Sequence, residues 1–226
     1  MGVEWYNMIA RNNGGYKNNA KFTIEGTSAE QFFEERLIGM LPKFHSVLDA
    51  GCGHGEFTLQ MASKIESLVG FDNSLEMIKI AQSLLEKSNI TNVEFVHATT
   101  KTELPFADGE FDLIYDRRGP TSILNHSRIL CSGGTVFGIH SGALDIVKER
   151  LVSNEFINIE IEEFNNAMFY FSDEIEFARF ISGIPGNPDY TSAELSKELN
   201  LKIRENIING KLGIPEYKYI WQAQKA

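Results

Sequence analysis

Val47-Leu48-Asp49-Ala50-Gly51-Cys52-Gly53-His54-Gly55-Glu56 is the stretch that decides the fold. A short apolar run stops on an acid, crosses three glycines at alternate positions and enters Phe57-Thr58-Leu59-Gln60-Met61-Ala62. That pattern reads as a buried strand, a tight turn and the first turns of a helix. Glycine is required where the backbone takes positive φ, or where a ligand must approach with no Cβ in the way. A helix that starts there presents unpaired N–H groups to whatever lies in the crevice. The spacing is G-x-G-x-G, which differs from the G-x-G-x-x-G of dinucleotide sites and argues against a dehydrogenase.

Outward from this turn, strands and helices alternate. Ser67-Leu68-Val69-Gly70-Phe71-Asp72 is a second apolar run ending in an acid, and Asn73-Ser74 caps a helix over 75–87. A third strand covers 92–97, a fourth 111–115, and a fifth 135–140 follows a helix over 121–130 and a Cys131-Ser132-Gly133-Gly134 turn. Such alternation implies an α/β domain with a mostly parallel sheet and helices on both faces. Upstream, Thr27-Ser28-Ala29-Glu30 has the pattern of a capped helix start, with Phe32-Phe33 and Leu37-Ile38 on one face and Pro42 at its end. Downstream the pattern predicts a helix over 142–152, strands over 156–164 and 167–171, a helix over 173–181 and a loop over 183–188. An amphipathic helix over 192–209 and a closing strand over 217–223 complete the chain. Residues 1–40 read as a helical extension able to act as a lid, with Tyr6 or Tyr16 as a wall. Residues 41–226 read as one domain, with a core over 41–142, a variable part over 143–215 and the closing strand over 216–224.

Composition narrows the classes. At 226 residues, 42% hydrophobic and 23% charged, the chain suits one sizeable globular domain. No apolar run approaches membrane-spanning length, and the N-terminus lacks the charged and apolar regions of a secretory signal. Tyr6 stands where a myristoylation signal needs Ser or Thr. Two cysteines make neither a disulfide framework nor, with five histidines, a metal-ligand pattern, so no metal is expected and the expected location is cytoplasmic. The net charge of −10 argues against nonspecific binding to a phosphate backbone.

Leu48-Asp49-Ala50-Gly51-Cys52-Gly53-His54-Gly55 closely resembles the first motif of class I S-adenosylmethionine-dependent methyltransferases. Asp72, then Leu104-Pro105-Phe106 with an acidic turn and Phe111-Asp112, then Gly133-Gly134, follow in the family's order. The resemblance covers roughly residues 40–142. It implies a Rossmann-like, seven-stranded, mostly parallel sheet whose final strand is antiparallel, and S-adenosyl-L-methionine as cofactor with S-adenosyl-L-homocysteine as product. Implied cofactor contacts are Asp49, Gly51, Cys52, Gly53 and Gly55 at the turn, Asp72 and Asn73 after the second strand, and Tyr115. Asp72 accepts hydrogen bonds from the ribose hydroxyls, and Asp49 is a structural and electrostatic neighbour beneath the cofactor. Many members carry an Asp after the third strand, on the adenine amino group; here Ala98-Thr99-Thr100 stands there, and Thr99, Thr100 or a backbone group substitutes.

Asp116-Arg117-Arg118-Gly119-Pro120 leaves the carboxyl end of the fourth strand, where ligands sit in open α/β sheets. Asp116 can orient a nucleophile or take its proton, and Arg117 or Arg118 can clamp a carboxylate or phosphate. The competing reading is an ion-pair cluster that fixes the loop. His140, at the tip of the fifth strand, is a candidate base or a hydrogen-bonded rim residue. The expected activity is methyl transfer to a nucleophile, with a small-molecule acceptor favoured and the chain a monomer or homodimer. RNA is the alternative acceptor, because the missing Asp, Pro120 and Ile220-Trp221-Gln222 are similar to the large-subunit rRNA guanine-N1 methyltransferases, whose Cys-rich zinc module is absent here. An alternative of another class is a non-catalytic, S-adenosylmethionine-binding regulatory or scaffold subunit.

Overall fold

The alternation that begins at residue 45 builds a seven-stranded sheet, seen in a computed structural model that describes residues 2–16 and 19–226. The elements in chain order are α1 (Val3–Asn13), β1 (Phe22–Glu25), α2 (Ala29–Met40), β2 (Ser46–Ala50), α3 (Glu56–Met61), β3 (Ser67–Asp72) and α4 (Leu75–Glu86). There follow β4 (Val93–His97), β5 (Phe111–Arg117), β6 (Leu130–His140), α5 (Leu144–Ser153), β7 (Phe156–Phe164), β8 (Met168–Phe171) and α6 (Glu174–Ser182). The chain ends with α7 (Ser196–Glu205), β9 (Ile207–Ile208), β10 (Lys211–Pro215) and β11 (Lys218–Lys225). Contacts divide it into two compact units. One comprises residues 2–16, 30–163 and 218–226, and the other includes 19–29 and 164–217.

In the larger unit the strand order is β4-β3-β2-β5-β6-β11-β7. β2 to β6 pair in parallel, and β11 runs antiparallel to β6 with Trp221 opposite Gly138. The sheet is flanked by helices, as the resemblance implies, and its carboxyl edge aligns Ala50 with Phe71 and Asp72 with His97. Leu48, Ala50, Phe71, Ile114, Val136, Tyr219, Trp221 and Ala223 are buried in one apolar core. A Cβ on Gly138 would lie 2.2 Å from the Trp221 ring, so glycine there makes room for the largest core side chain. At the opposite edge, Asp112 accepts the His45 and Ser46 N–H groups and ties the start of β5 to β2. Ser74 caps α4 as expected, accepting the Met77 N–H at 3.2 Å.

The smaller unit carries a four-stranded sheet, β1-β8-β10-β9, over a core of Phe171, Phe177, Ala178, Ile181, Tyr190 and Ile203. Three of its strands, β1, β9 and β10, depart from the sequence expectation. β1 gives no local strand signal beyond four residues and exists through antiparallel pairing with β8. The amphipathic helix expected over 192–209 is confined to α7, because Asn209-Gly210 takes φ +50° and +77° and turns a hairpin between β9 and β10. Asn-Gly between apolar residues is a strong hairpin signal, and here it outweighs helical periodicity. At the start of α2 the Ser28 hydroxyl donates to Glu216, whose other oxygen takes the Ala29 N–H at 2.8 Å.

Two further differences lie beside the site. Thr121–Ile129 is 3-10 rather than α-helical, with a kink at His126. Cys131–Gly134, expected as a turn before the fifth strand, falls inside β6 as an irregularity: Phe111 faces Leu130, yet Leu113 already faces Thr135. Among the described residues no helix is long and apolar enough to cross a membrane.

Candidate active site

All three glycines of the turn have positive φ: Gly51 +83°, Gly53 +55° and Gly55 +77°. Their surroundings differ. A Cβ on Gly51 would lie 2.7 Å from Gly119 Cα and Pro120 Cδ, and one on Gly55 would lie 2.6 Å from the Phe95 ring and 2.7 Å from Ala81. A Cβ on Gly53 would meet nothing within 4 Å. Gly51 and Gly55 thus serve close packing, and Gly53 faces open space. The turn's donors are spent internally: Gly51 and Cys52 N–H both donate to the Phe71 carbonyl at 2.9 Å, and Gly55 N–H donates to Cys52 O at 3.0 Å. Gly53 N–H donates to Asp72 Oδ2 at 3.0 Å.

Asp72 therefore joins two strand ends. Its Oδ1 accepts the Ser74 N–H at 2.8 Å, which leaves lone pairs on both oxygens for a ligand's hydroxyl donors. Burial raises its pKa, and the Ser74, Gly53 and Asn73 N–H groups oppose that rise. Alongside, Asn73, His97, Ala98, Thr99, Lys101, Thr102 and residues of α1 line a groove of about 630 Å³. The groove brings Asn73 and Thr99 together. Thr100 stands apart, its hydroxyl bonded to Ser122 at 2.6 Å. α1 is fastened here, since Asn7 Oδ1 accepts the Ser74 hydroxyl at 2.7 Å and Gly15 leaves room for the His54 ring. Trp5, Tyr6 and Tyr16 form one aromatic cluster with ring centroids 5.1–6.3 Å apart. Burial raises the pKa of both tyrosines. Tyr6 also feels Tyr16 and Asp72, and Tyr16 feels Arg118 and Glu30.

Asp49, Tyr115 and the Cys52 thiol lie deeper. Asp49 is buried, faces Tyr115 across the β2–β5 register and accepts the Thr58 hydroxyl at 2.6 Å. Burial pushes its carboxyl up to about 7, against the Thr58 hydrogen bond. The buried Tyr115 hydroxyl meets no geometric hydrogen-bond partner among the described residues but lies beside Asp49, and burial with the Asp49 charge raises its pKa strongly. Burial and the charges of Asp49 and Asp72 likewise keep the Cys52 thiol protonated. Its side chain packs beside Ile78, Ala81 and Phe95.

At the ends of β5 and β6, Asp116 is fully buried. Its Oδ1 accepts the Gly119 N–H at 2.5 Å, and its two oxygens lie 3.4 and 3.3 Å from His140 Nε2. Burial lowers the His140 pKa, but the Asp116 charge, their hydrogen bond and the Gly119 backbone outweigh it, so the net shift is upward. The imidazole remains 16% exposed.

Arg117 and Arg118 both meet Glu30 through Nε, at 3.0 and 3.1 Å, and Lys218 Nζ reaches the same carboxylate at 2.8 Å. The Arg117 guanidinium also lies 4.1 Å over the Phe57 ring. Burial raises the Glu30 pKa, and Arg118, Lys218 and Arg117 overcome this to hold it at about 2. A depressed folded pKa gives stability that is present above the unfolded value and lost as pH falls through the folded one. With Glu30 only 18% exposed, Glu30→Gln should cost roughly 3 kcal/mol at pH 7. Its difference from wild type should close as pH falls from 4.5 toward 2. Urea unfolding at a series of pH values measures this; a pH-independent difference would remove the ion pairs as the cause.

The structure thus brings the sequence candidates into two groups along one sheet edge: Gly53, Asp72, Asn73 and Thr99 beside the groove, and Asp116, Arg117, Arg118 and His140 at the next strand ends. Sequence reasoning missed Glu30, Lys218, Asn7 and Thr58. Glu30 carried a signal only as part of a capping pattern, and Lys218 carried none.

Residues 47–131 match the family model of a methyltransferase domain. The chain is 36% identical over 70 residues to the uncharacterized methyltransferase YcgJ of Bacillus subtilis, covering 31% of this chain and 27% of that protein. It is 39% identical over 71 residues to the 23S rRNA (uracil-C5)-methyltransferase RlmD of Haemophilus parainfluenzae, covering 30% and 16%. It is 30% identical over 100 residues to the demethylmenaquinone methyltransferase of Listeria welshimeri, covering 43% and 42%. The chain therefore spans less than half the length of these relatives. A functionally unknown protein from Deinococcus radiodurans shares the fold, with a TM-score of 0.71 and 21% identity over 99% of this chain and all of that one. Strand order and turn geometry define a Rossmann-like domain. Over residues 47–131 the core is similar to the class I S-adenosylmethionine-dependent methyltransferases.

Proposed function

We propose that the protein transfers a methyl group from S-adenosylmethionine to a small-molecule nucleophile. The observation that carries this is the electrostatics of the Gly-rich turn. Its Gly51, Cys52, Gly53 and Gly55 N–H groups are all satisfied within the protein, and buried Asp49 and half-buried Asp72 flank it. A pyrophosphate needs free turn N–H groups. A cationic nucleoside without phosphate suits the opposite arrangement. S-adenosylmethionine, bound here, supplies an electrophilic methyl group on its sulfonium.

The chain's own residues do the rest. Asp72 holds the ribose hydroxyls, Gly53 leaves room for the cofactor, and Asn73 with Thr99 borders the adenine in the groove. Asp49 and Tyr115 act from beneath, through charge and packing. α1 with Trp5, Tyr6 and Tyr16 serves as the covering wall. Transfer is an in-line displacement, so positioning two reactants supplies much of the rate. His140, oriented by Asp116, takes the proton of the nucleophile. RNA binding draws on many Lys and Arg contacts to phosphate. A net charge of −10, with Arg117, Arg118 and Lys218 gathered on one carboxylate, favours a small acceptor.

Calorimetric titration tests the cofactor. S-adenosylmethionine and S-adenosylhomocysteine are expected to bind and NADH is not. Asp72→Ala should weaken adenosyl binding by about 1–3 kcal/mol, the scale of hydrogen bonds to a charged group. Absence of adenosyl binding in the folded protein would overturn the reading; unchanged affinity in the variant would take Asp72 out of the site. Release of S-adenosylhomocysteine in the presence of candidate acceptors then tests transfer.

A further inference from the structure

We infer that the methyl acceptor carries an oxyanion, a carboxylate or a phosphate monoester, gripped by the terminal amines of Arg117 and Arg118. This rests on the proposed reading of the site and specifies its substrate class. Both guanidinium groups meet Glu30 through Nε. Among the described residues, neither donates a hydrogen bond through its terminal amines. Those amines include the donor pairs that grip planar or tetrahedral oxyanions bidentately. An ion pair that merely fixed a loop would spend that forked face. Here Glu30 acts as a brace on the inner nitrogen of each arginine and leaves the outer ones pointing elsewhere.

Both residues are also anchored, Arg117 through its side chain and Arg118 through its backbone. Arg117 lies against Phe57, and Arg118 sits at φ +64° with its N–H donated to Ile139 O at 3.1 Å. A non-glycine residue in the left-handed region is strained, and such strain clusters at ligand clamps. The Arg118 side chain is 44% exposed, so a solute can reach it. The position fits an acceptor. Arg118 lies near enough to His140 for its charge to lower that pKa, and Gly119 and Pro120 pack where a Cβ on Gly51 would stand. An acceptor held by its oxyanion at the two arginines is thereby kept next to both the His140–Asp116 pair and the Gly-rich turn.

The test titrates methyl phosphate and acetate separately into the full chain saturated with S-adenosylhomocysteine, after that nucleotide's own binding has been measured. At least one of the two probes should bind saturably; which one assigns the acceptor as a phosphate or a carboxylate. Arg118→Ala and Arg117→Ala should each weaken that binding about tenfold or more, with S-adenosylhomocysteine affinity retained. Arg118→Lys keeps the charge and a partner for Glu30 but loses the fork, so it should lose most of the probe affinity as well. Lys148→Ala, on exposed α5, should change nothing. If neither probe binds while the nucleoside does, or if binding survives in Arg118→Lys and both alanine variants, the oxyanion inference is overturned. Failure of the nucleoside itself to bind would instead overturn the underlying reading of the site.

Discussion

Gly51→Val should abolish S-adenosylhomocysteine binding and cost about 2–6 kcal/mol of stability. Two terms contribute. Valine is forced to φ +83°, in a region that β-branched residues avoid at a cost of about 1–3 kcal/mol. Its Cβ then lies 2.7 Å from Gly119 Cα and Pro120 Cδ, a backbone atom and a rigid ring that have no rotamer with which to yield, and overpacking of this kind costs about 1–3 kcal/mol. Relief requires the 116–120 loop to move away from the turn, which would carry Asp116, Arg117 and Arg118 with it. Gly53→Ala is the informative contrast. Its φ is +55° but its new Cβ meets nothing within 4 Å, so stability should fall by only about 1 kcal/mol while the methyl group enters the space assigned to the cofactor. Urea midpoints and calorimetry on both variants separate packing from ligand space. A Gly51→Val protein of wild-type stability would contradict the contact between turn and loop.

His140→Ala should lower kcat by about 10²–10⁴-fold, the usual contribution of a positioned general base, with cofactor affinity retained. The pH profile identifies the group. The His140 pKa lies above its ordinary 6.5, because Asp116 and the Gly119 backbone outweigh burial. Only the neutral imidazole can take a proton, so kcat/KM should rise through a limb above pH 6.5. Asp116→Asn removes the main stabilising charge and should shift that limb to lower pH. The linked stability has the opposite sense. A histidine with a raised folded pKa contributes stability fully below the unfolded value and loses it as pH rises through the folded one. The Asp116–His140 pair should therefore stabilise the protein more at pH 6 than at pH 9, a difference that Asp116→Asn removes. A limb that stays in place in His140→Ala would assign it to another group.

Much of the larger unit was legible in the chain. The G-x-G-x-G turn, the acid ending β3, the Ser74 cap and the alternation of apolar runs are local signals, each set within one strand or one helical turn by backbone sterics and hydrogen bonding. They were enough to give a parallel sheet whose carboxyl edge gathers Asp72, Asp116 and His140. Asn209-Gly210 was equally local but was read under a helical period that ran across it.

The tertiary structure decided what the candidates do. Arg117 meets Glu30 from 87 residues away and Lys218 meets it from 188, distances over which no periodicity links two side chains. Sheet order brings the carboxyl ends of β5 and β6 together, and this turns Asp116 and His140 into a pair. Glu216 takes the first N–H of α2 from 187 residues away. β1 becomes a strand because β8 lies beside it. The sequence alone determined where backbone must turn, cap and alternate, because those choices are made by neighbours along the chain. Which charges meet, and which donors remain to hold a ligand, is set by the packing of distant strand ends, since Coulomb and hydrogen-bond energies depend on separation in space.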